Sequence, residues 1–378
     1  MVWREFTHHL PVAWGALIAF LVVVLLTPAV GGMARLLGVV DRPEAGRRPS
    51  ATPGVPRLGG LALFFGVFVP SLAFLPLDGE MRGILLGAAV ATTVGAIDDL
   101  RGLRWWAKLA GQTLAASIPT DFGVWVHSFT LPISGHHLLP AAIGVPITIL
   151  GIVALMNMVN FLDGLDGLAA GVCAISGLSF CIIDLSLGVV DDAILTAIVF
   201  GACVGFLRHN FYPARIFMGD SGALLLGFSL GAVSVQGLLK TAIFPTLVLP
   251  LLVLAIPLID TSFVVAKRIK QRRPVYLADR THLHHRFENI GFSQRRAVVY
   301  LYLWCLVLAL TGLATRFVLP KPGRHWSPLH IAIDAVITLL ALGASVYVVY
   351  LLEIVKLANP FIRRRAELAR VEERRKSA

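Results

Sequence analysis

From Leu10 to Val30 no side chain carries a charge, and apolar runs of similar length recur as far as Leu351. In hydrocarbon every backbone N–H and C=O must find its partner inside the segment, so a continuous apolar run of this kind folds as a helix. A window matched to a bilayer core of about 30 Å gives eleven predicted spans. They fall near 11–31, 59–77, 82–97, 108–126, 140–162, 167–188, 192–208, 222–239, 241–265, 297–318 and 328–355. The fold class expected is an all-α polytopic membrane protein with about eleven transmembrane helices. Composition excludes the soluble alternative: 57% of residues are hydrophobic and 15% charged, against about 25% charged in an ordinary soluble domain. One stretch breaks the helical pattern. Alternating residues punctuated by Gly and Pro between Phe122 and Leu139 predict a short external β-hairpin near 122–139.

Basic residues orient the spans. With the N-terminus outside, only Arg4, Arg82, Lys240, Arg316, Lys321 and Arg324 of the 33 Lys and Arg lie outside. That bias predicts N-terminus out and C-terminus in. It also makes the net charge of +11 a signal of topology, so no nucleic-acid partner is implied. Arg4 alone precedes the first run and no small-residue cleavage site follows, so a retained first span is expected. Cys173, Cys181, Cys203 and Cys305 lie within apolar runs, without the spacing of a zinc site or a disulfide framework, and read as small core groups. The predicted organisation is one integral membrane catalytic domain, 1–355, with cytoplasmic loops 32–58, 98–107, 209–221 and 266–296. A basic tail, 356–378, would brush anionic lipids.

In this topology four polar clusters fall on the inner face: Asp98-Asp99, the stretch Asn157 to Asp166, Gly219-Asp220-Ser221-Gly222, and His282-Leu-His284-His285. Each has a plain structural reading. Asp98 and Asp99 could be a charged helix end reaching water; Asp163, Asp166 and Asp220 precede or open helices and could cap them. Three histidines suggest zinc, but Arg280 and Arg286 flank them and a phosphate partner suits that setting better. Polar groups at the mouths of membrane helices are costly and so point to function. Carboxylates and an amide suit a hard cation that shares its shell with substrate phosphates. Lys108 with the histidines suits phosphate oxygens, and Trp105 and Phe217 offer rings for stacking. Eleven spans imply a lipidic substrate. The residues therefore predict Mg2+-dependent transfer between a cytoplasmic nucleotide and a membrane lipid.

Four motifs, Asp98-Asp99 with Lys108 following, Asn157-Met-Val-Asn160-Phe-Leu-Asp163-Gly-Leu-Asp166-Gly, Phe217-Met-Gly-Asp220-Ser-Gly and His282-Leu-His284-His285, resemble those of the polyprenyl-phosphate N-acetylhexosamine-1-phosphate transferases, glycosyltransferase family 4. The likeness is greatest to the bacterial WecA/TagO branch and covers roughly Asp41 to Arg296. It implies transfer of N-acetylhexosamine 1-phosphate, GlcNAc being the commonest sugar, from a UDP-sugar to undecaprenyl or another polyprenyl phosphate. UMP would be released, in the first membrane step of cell-envelope polysaccharide synthesis such as that of lipopolysaccharide or teichoic acid. By the same likeness Asp220 and Asn160 would hold Mg2+, or Mn2+ in its place. Asp98 or Asp99 would be the base toward the lipid phosphate, and Lys108, His282, His284 and His285 would neutralise phosphate oxygens. Asp163, Gly164, Leu165, Asp166 and Asn157 would line the nucleotide and sugar pocket, with Phe217 near uracil and Trp105 near the sugar. The implied setting is the bacterial cytoplasmic (inner) membrane, with the active site on the cytoplasmic face and room for a homodimer. One departure stands out: the family's first inner loop usually carries a His that is missing from Arg47-Arg48-Pro49-Ser50-Ala-Thr-Pro53-Gly-Val-Pro56-Arg57-Leu-Gly59-Gly60. The rival within the family is the phospho-N-acetylmuramoyl-pentapeptide transferase; the rival outside it is an ion-coupled transporter with buried acids as ion sites.

Overall fold

The computed structural model describes residues 2–41, 54–131, 135–241, 293–318 and 328–351. Among these residues the chain forms α1 (Val2–Leu36), α2 (Gly59–Phe74), α3 (Gly79–Arg101), α4 (Trp105–Asp121), α5 (Ala141–Leu162), α6 (Leu168–Leu187), α7 (Val190–Asn210), α8 (Gly219–Thr241), α9 (Gln294–Val318) and α10 (Pro328–Leu351). These helices overlie ten of the expected spans. The span at 241–265, the motif His282 to His285 and the tail 356–378 lie outside the described residues. Among the described residues six helices are long and apolar enough to cross a membrane: Leu10–Leu36, Gly79–Arg101, Ala141–Leu162, Leu168–Leu187, Val190–Asn210 and Gln294–Ala314. The protein is a multi-pass membrane protein.

Local chemistry sets several helix ends. α6 starts after Gly167 and stops at Gly188, both in the left-handed region, and the Gly188 N–H returns to carbonyls of the last turn. α7 has Asp191 and Asp192 in its first turn and Arg208 and His209 in its last, each sign placed where the helix dipole favours it.

α7 packs on α1 and α6, and α8 lies between α3 and α5. α6 and α7 form the enclosed centre, where Phe206, Leu195, Ile198 and Leu168 are almost wholly buried. The four cysteines are free and buried, as expected of core groups. Outer faces stay apolar: Leu25 is 75% exposed and Leu340 is 69% exposed. Such surfaces are unfavourable in water and ordinary against lipid tails.

The predicted hairpin is present. Ser128–Leu131 (β1) and Gly135–Leu138 (β2) pair antiparallel, with Phe129 opposite His137. It joins the end of α4 to the start of α5. The other ends of those two helices meet Asp220 at the opposite pole through Lys108 and Asn160.

Candidate active site

Among the described residues the ends of α3, α5 and α7 and the starts of α2, α4, α6 and α8 converge at that pole. Adjacent residues on a helix point about 100° apart, so Asp98 and Asp99 turn toward different helices. Asp98 turns toward α4. Its Oδ1 accepts the Leu103 N–H at 2.6 Å and its Oδ2 lies 2.9 Å from Lys108 Nζ. Asp99 turns toward α8. Its Oδ1 accepts the Asp220 N–H at 2.8 Å, and its Oδ2 accepts the Ser221 N–H at 3.0 Å and the Ser221 hydroxyl at 2.8 Å. A carboxylate from α3 thus caps the first turn of α8, satisfying donors a helix start leaves bare.

The contact requires glycine twice. Gly219 has φ of +71°, and a Cβ there would come 2.5 Å from Asp99 Oδ2. At Gly95, one turn before Asp99, a Cβ would meet the Asp220 carbonyl oxygen at 2.5 Å.

Lys108 Nζ sits at the centre. It bonds both Asp98 and Asp220, with Asn160 Oδ1 at 3.4 Å. The Asn160 Nδ2 donates to Asp220 Oδ1 at 2.6 Å. The side chains of Asp98, Lys108 and Asp220 are 11%, 18% and 28% exposed. That leaves them reachable by a substrate, yet sheltered enough for charges to act strongly.

Asp163 follows the last turn of α5. The protein packed around it, and the neighbouring Asp220 and Asp99 carboxylates, push its carboxyl well above the usual range. Gly164 is exposed and Leu165 buried. Asp166 accepts the Ala214 N–H at 2.9 Å; burial raises its carboxyl and that bond partly opposes the rise. Gly167 is gripped from two sides: its N–H donates to Asn210 Oδ1 at 3.0 Å, and its carbonyl accepts the Tyr302 hydroxyl of α9. The other end of Asn210 donates to the Ile216 carbonyl at 2.9 Å. The turn at 163–167 and the loop at 211–218 are thereby tied together.

The segment that leads into α2 closes on the same loop. The Phe217 N–H donates to the Pro56 carbonyl at 2.8 Å and the Gly59 N–H to the Phe217 carbonyl at 3.0 Å. Phe217 is half-buried there, whereas Trp105 is 55% exposed at the first turn of α4. Asn157 has protein partners: its amide pairs with Gln112 of α4. Gln112, Asn210 and Tyr302 gave no place in the site from sequence alone. Gln112 carried a usable signal, an amide within an apolar run.

The donor set suits a divalent cation. Asp98 and Asp220 share Lys108, and the Asp163 carboxyl, raised chiefly by burial, also feels the neighbouring Asp220 and Asp99 carboxylates. Among the described residues no three His, Cys, Asp or Glu side chains form a metal shell. A cation held here by Asp220 and Asn160 would take its remaining ligands from phosphate oxygens or water, as Mg2+ commonly does.

Helix ends that carry acids, amides and a lysine into one sheltered pole of a membrane protein suit phosphoryl transfer. The chain belongs to glycosyl transferase family 4, whose model matches residues 81–238, from α3 through α8. It is 34% identical over 79% of its length to 84% of a probable undecaprenyl-phosphate N-acetylglucosaminyl 1-phosphate transferase of Bacillus subtilis. It is 34% identical over 81% of its length to 84% of a decaprenyl-phosphate N-acetylglucosaminephosphotransferase of Mycobacterium leprae. A phospho-N-acetylmuramoyl-pentapeptide-transferase of Desulforudis audaxviator is 35% identical over 81% of this chain and 98% of its own. The activity class is transfer of a sugar phosphate to a polyprenyl phosphate.

Proposed function

We propose that the protein transfers N-acetylglucosamine 1-phosphate from UDP-N-acetylglucosamine to undecaprenyl or another polyprenyl phosphate, releasing UMP, at the cytoplasmic face of a bacterial inner membrane. The observation that carries this reading is the cluster of Lys108 with Asp98, Asp220 and Asn160. It presents a cation and carboxylates to one spot, which suits a reaction governed by positioning and charge neutralisation. The names of the Bacillus and Mycobacterium relatives supply the sugar and the lipid acceptor.

In the reaction an oxygen of the lipid phosphate attacks the sugar-bearing phosphorus of the UDP-sugar. The pyrophosphate P–O bond breaks and UMP leaves. Asp98 is the better placed of the acid pair to receive the acceptor's proton, because it faces Lys108 beside Asp220, whereas Asp99 is turned onto the backbone of α8. Lys108 stabilises the charge on the transferring phosphoryl group. Asp220 and Asn160 would hold Mg2+, or Mn2+ in its place, which would supply charge neutralisation on the pyrophosphate. Asp163, Gly164, Leu165 and Asp166 form the turn that receives the nucleoside, with Phe217 beside uracil and Trp105 near the sugar. His282, His284 and His285 complete the phosphate contacts.

A second reading, transfer of phospho-N-acetylmuramoyl-pentapeptide, draws on the Desulforudis relative. The His-Leu-His-His order and Pro56-Arg57-Leu-Gly-Gly weigh against it. A transporter reading finds little support, because the acids stand at helix ends rather than on broken helices near the midplane. Purified protein given polyprenyl phosphate and a panel of UDP-sugars separates the three. The expected result is UMP and lipid-linked sugar from UDP-N-acetylglucosamine with Mg2+; product from the muramoyl-pentapeptide donor alone, or substrate counterflow without UMP, contradicts it.

A further inference from the structure

One polar pair lies deeper in the helix bundle than the site. Gln112, one turn beyond Lys108 on α4, is 1% exposed and meets Asn157, one turn before Asn160 on α5. The two amides bond reciprocally: Gln112 Nε2 donates to Asn157 Oδ1 at 3.3 Å and Asn157 Nδ2 to Gln112 Oε1 at 2.7 Å. The second Asn157 N–H donates to the Val153 carbonyl at 2.8 Å. Both hydrogens and the oxygen of Asn157 are therefore engaged within the protein, which leaves no amide hydrogen for a substrate.

We propose that the Gln112–Asn157 pair is a positioning element that fixes α4 against α5, so that Lys108 reaches Asp220 and Asn160 together. α4 packs along α3 and α5 but meets α8, the helix carrying Asp220, only narrowly. The Lys108–Asp220 contact therefore depends on how α4 is held elsewhere. A lysine has a flexible four-carbon stem and does not define its own position. Two amides fitted head to tail define rotation and register where simple apolar contact would not, and away from water their bonds meet little competition. One helical turn separates the pair from the reacting groups on both helices, so a slip at the pair passes directly to Lys108.

The inference rests on the proposed transferase reading, and the test keeps the two apart. Full-length protein in lipid nanodiscs is compared with Gln112→Leu and with the double variant Gln112→Asn, Asn157→Gln, which exchanges the amides and conserves their combined reach. Turnover of UDP-N-acetylglucosamine with polyprenyl phosphate is measured alongside acetylation of Lys108 by mass spectrometry, relative to the chain's other lysines. For Gln112→Leu the expected outcome is a fall in kcat of roughly 10- to 100-fold, with both KM values within about threefold. Labelling of Lys108 alone should rise about fivefold, its hold on the two carboxylates being loosened. The exchanged pair should recover most of both. Retained kcat with unchanged Lys108 labelling overturns the proposal, and so does a uniform rise at all lysines that the exchange fails to reverse. Absence of UMP formation by the unaltered protein refutes the transferase reading, while the labelling comparison still decides whether the amide pair holds Lys108.

Discussion

Asp99 accepts the backbone N–H groups of Asp220 at 2.8 Å and Ser221 at 3.0 Å, so a carboxylate on α3 closes the first turn of a helix that begins 120 residues later. Asp98, its neighbour, faces Lys108 instead. One acid therefore supports the site and the other stands in it.

Exchange of each acid for its amide should separate the roles. Asp98→Asn keeps the shape and removes the proton acceptor, so kcat is expected to fall about 10²- to 10⁴-fold with little change in melting temperature. Asp99→Asn loses charge-assisted bonds to α8 and should cost about 1.5–3 kcal/mol of stability as well as activity. Thermal melts and steady-state rates on both variants check the division.

Gly219→Ala tests the close approach. A side chain at φ of +71°, with its Cβ 2.5 Å from the Asp99 carboxylate, should cost about 1–3 kcal/mol in backbone strain alone and displace Asp220. Loss of turnover with a lowered melting temperature is expected.

Asp163 gives a pH dependence whose sign follows from its raised carboxyl. The folded protein holds this proton to higher pH than the unfolded chain, whose carboxyl titrates near the ordinary value of about 4. Stability therefore declines as pH rises through the folded-state value. In chelator, Asp163→Asn should melt above the unaltered protein at pH 8, and the gap should narrow toward pH 5. Melts across that range measure it.

Removal of divalent cations should stop UMP formation while leaving the fold in place, because the carboxylates retain Lys108 as a partner. Mg2+ or Mn2+ added back should restore the rate. A melt with and without chelator, run beside the assay, separates loss of cation from loss of structure.

Much of the site could be read from the chain because its groups are costly where they stand. Acids and amides at the mouths of apolar helices stand out against their neighbours, and Asp98, Lys108, Asn160 and Asp220 do meet at one pole. The division between Asp98 and Asp99 was not legible, since it depends on the angle at which α3 ends beside α8. The family likeness set Asn157 in the nucleotide and sugar pocket, whereas its amide partner Gln112 is supplied by another helix. Tyr302 gave no local signal: its role comes from α9 returning to Gly167, a contact between residues 135 positions apart.

The central claim is that Asp220 anchors the phosphotransfer centre, with Lys108 and Asn160 on its carboxylate. Its most direct test is the rate of Mg2+-dependent UMP release by purified Asp220→Ala beside the unaltered protein, with folding verified by thermal melt. The expected result is a folded variant whose turnover falls by about 10³-fold or more. A folded variant that keeps its rate within about tenfold would contradict the account.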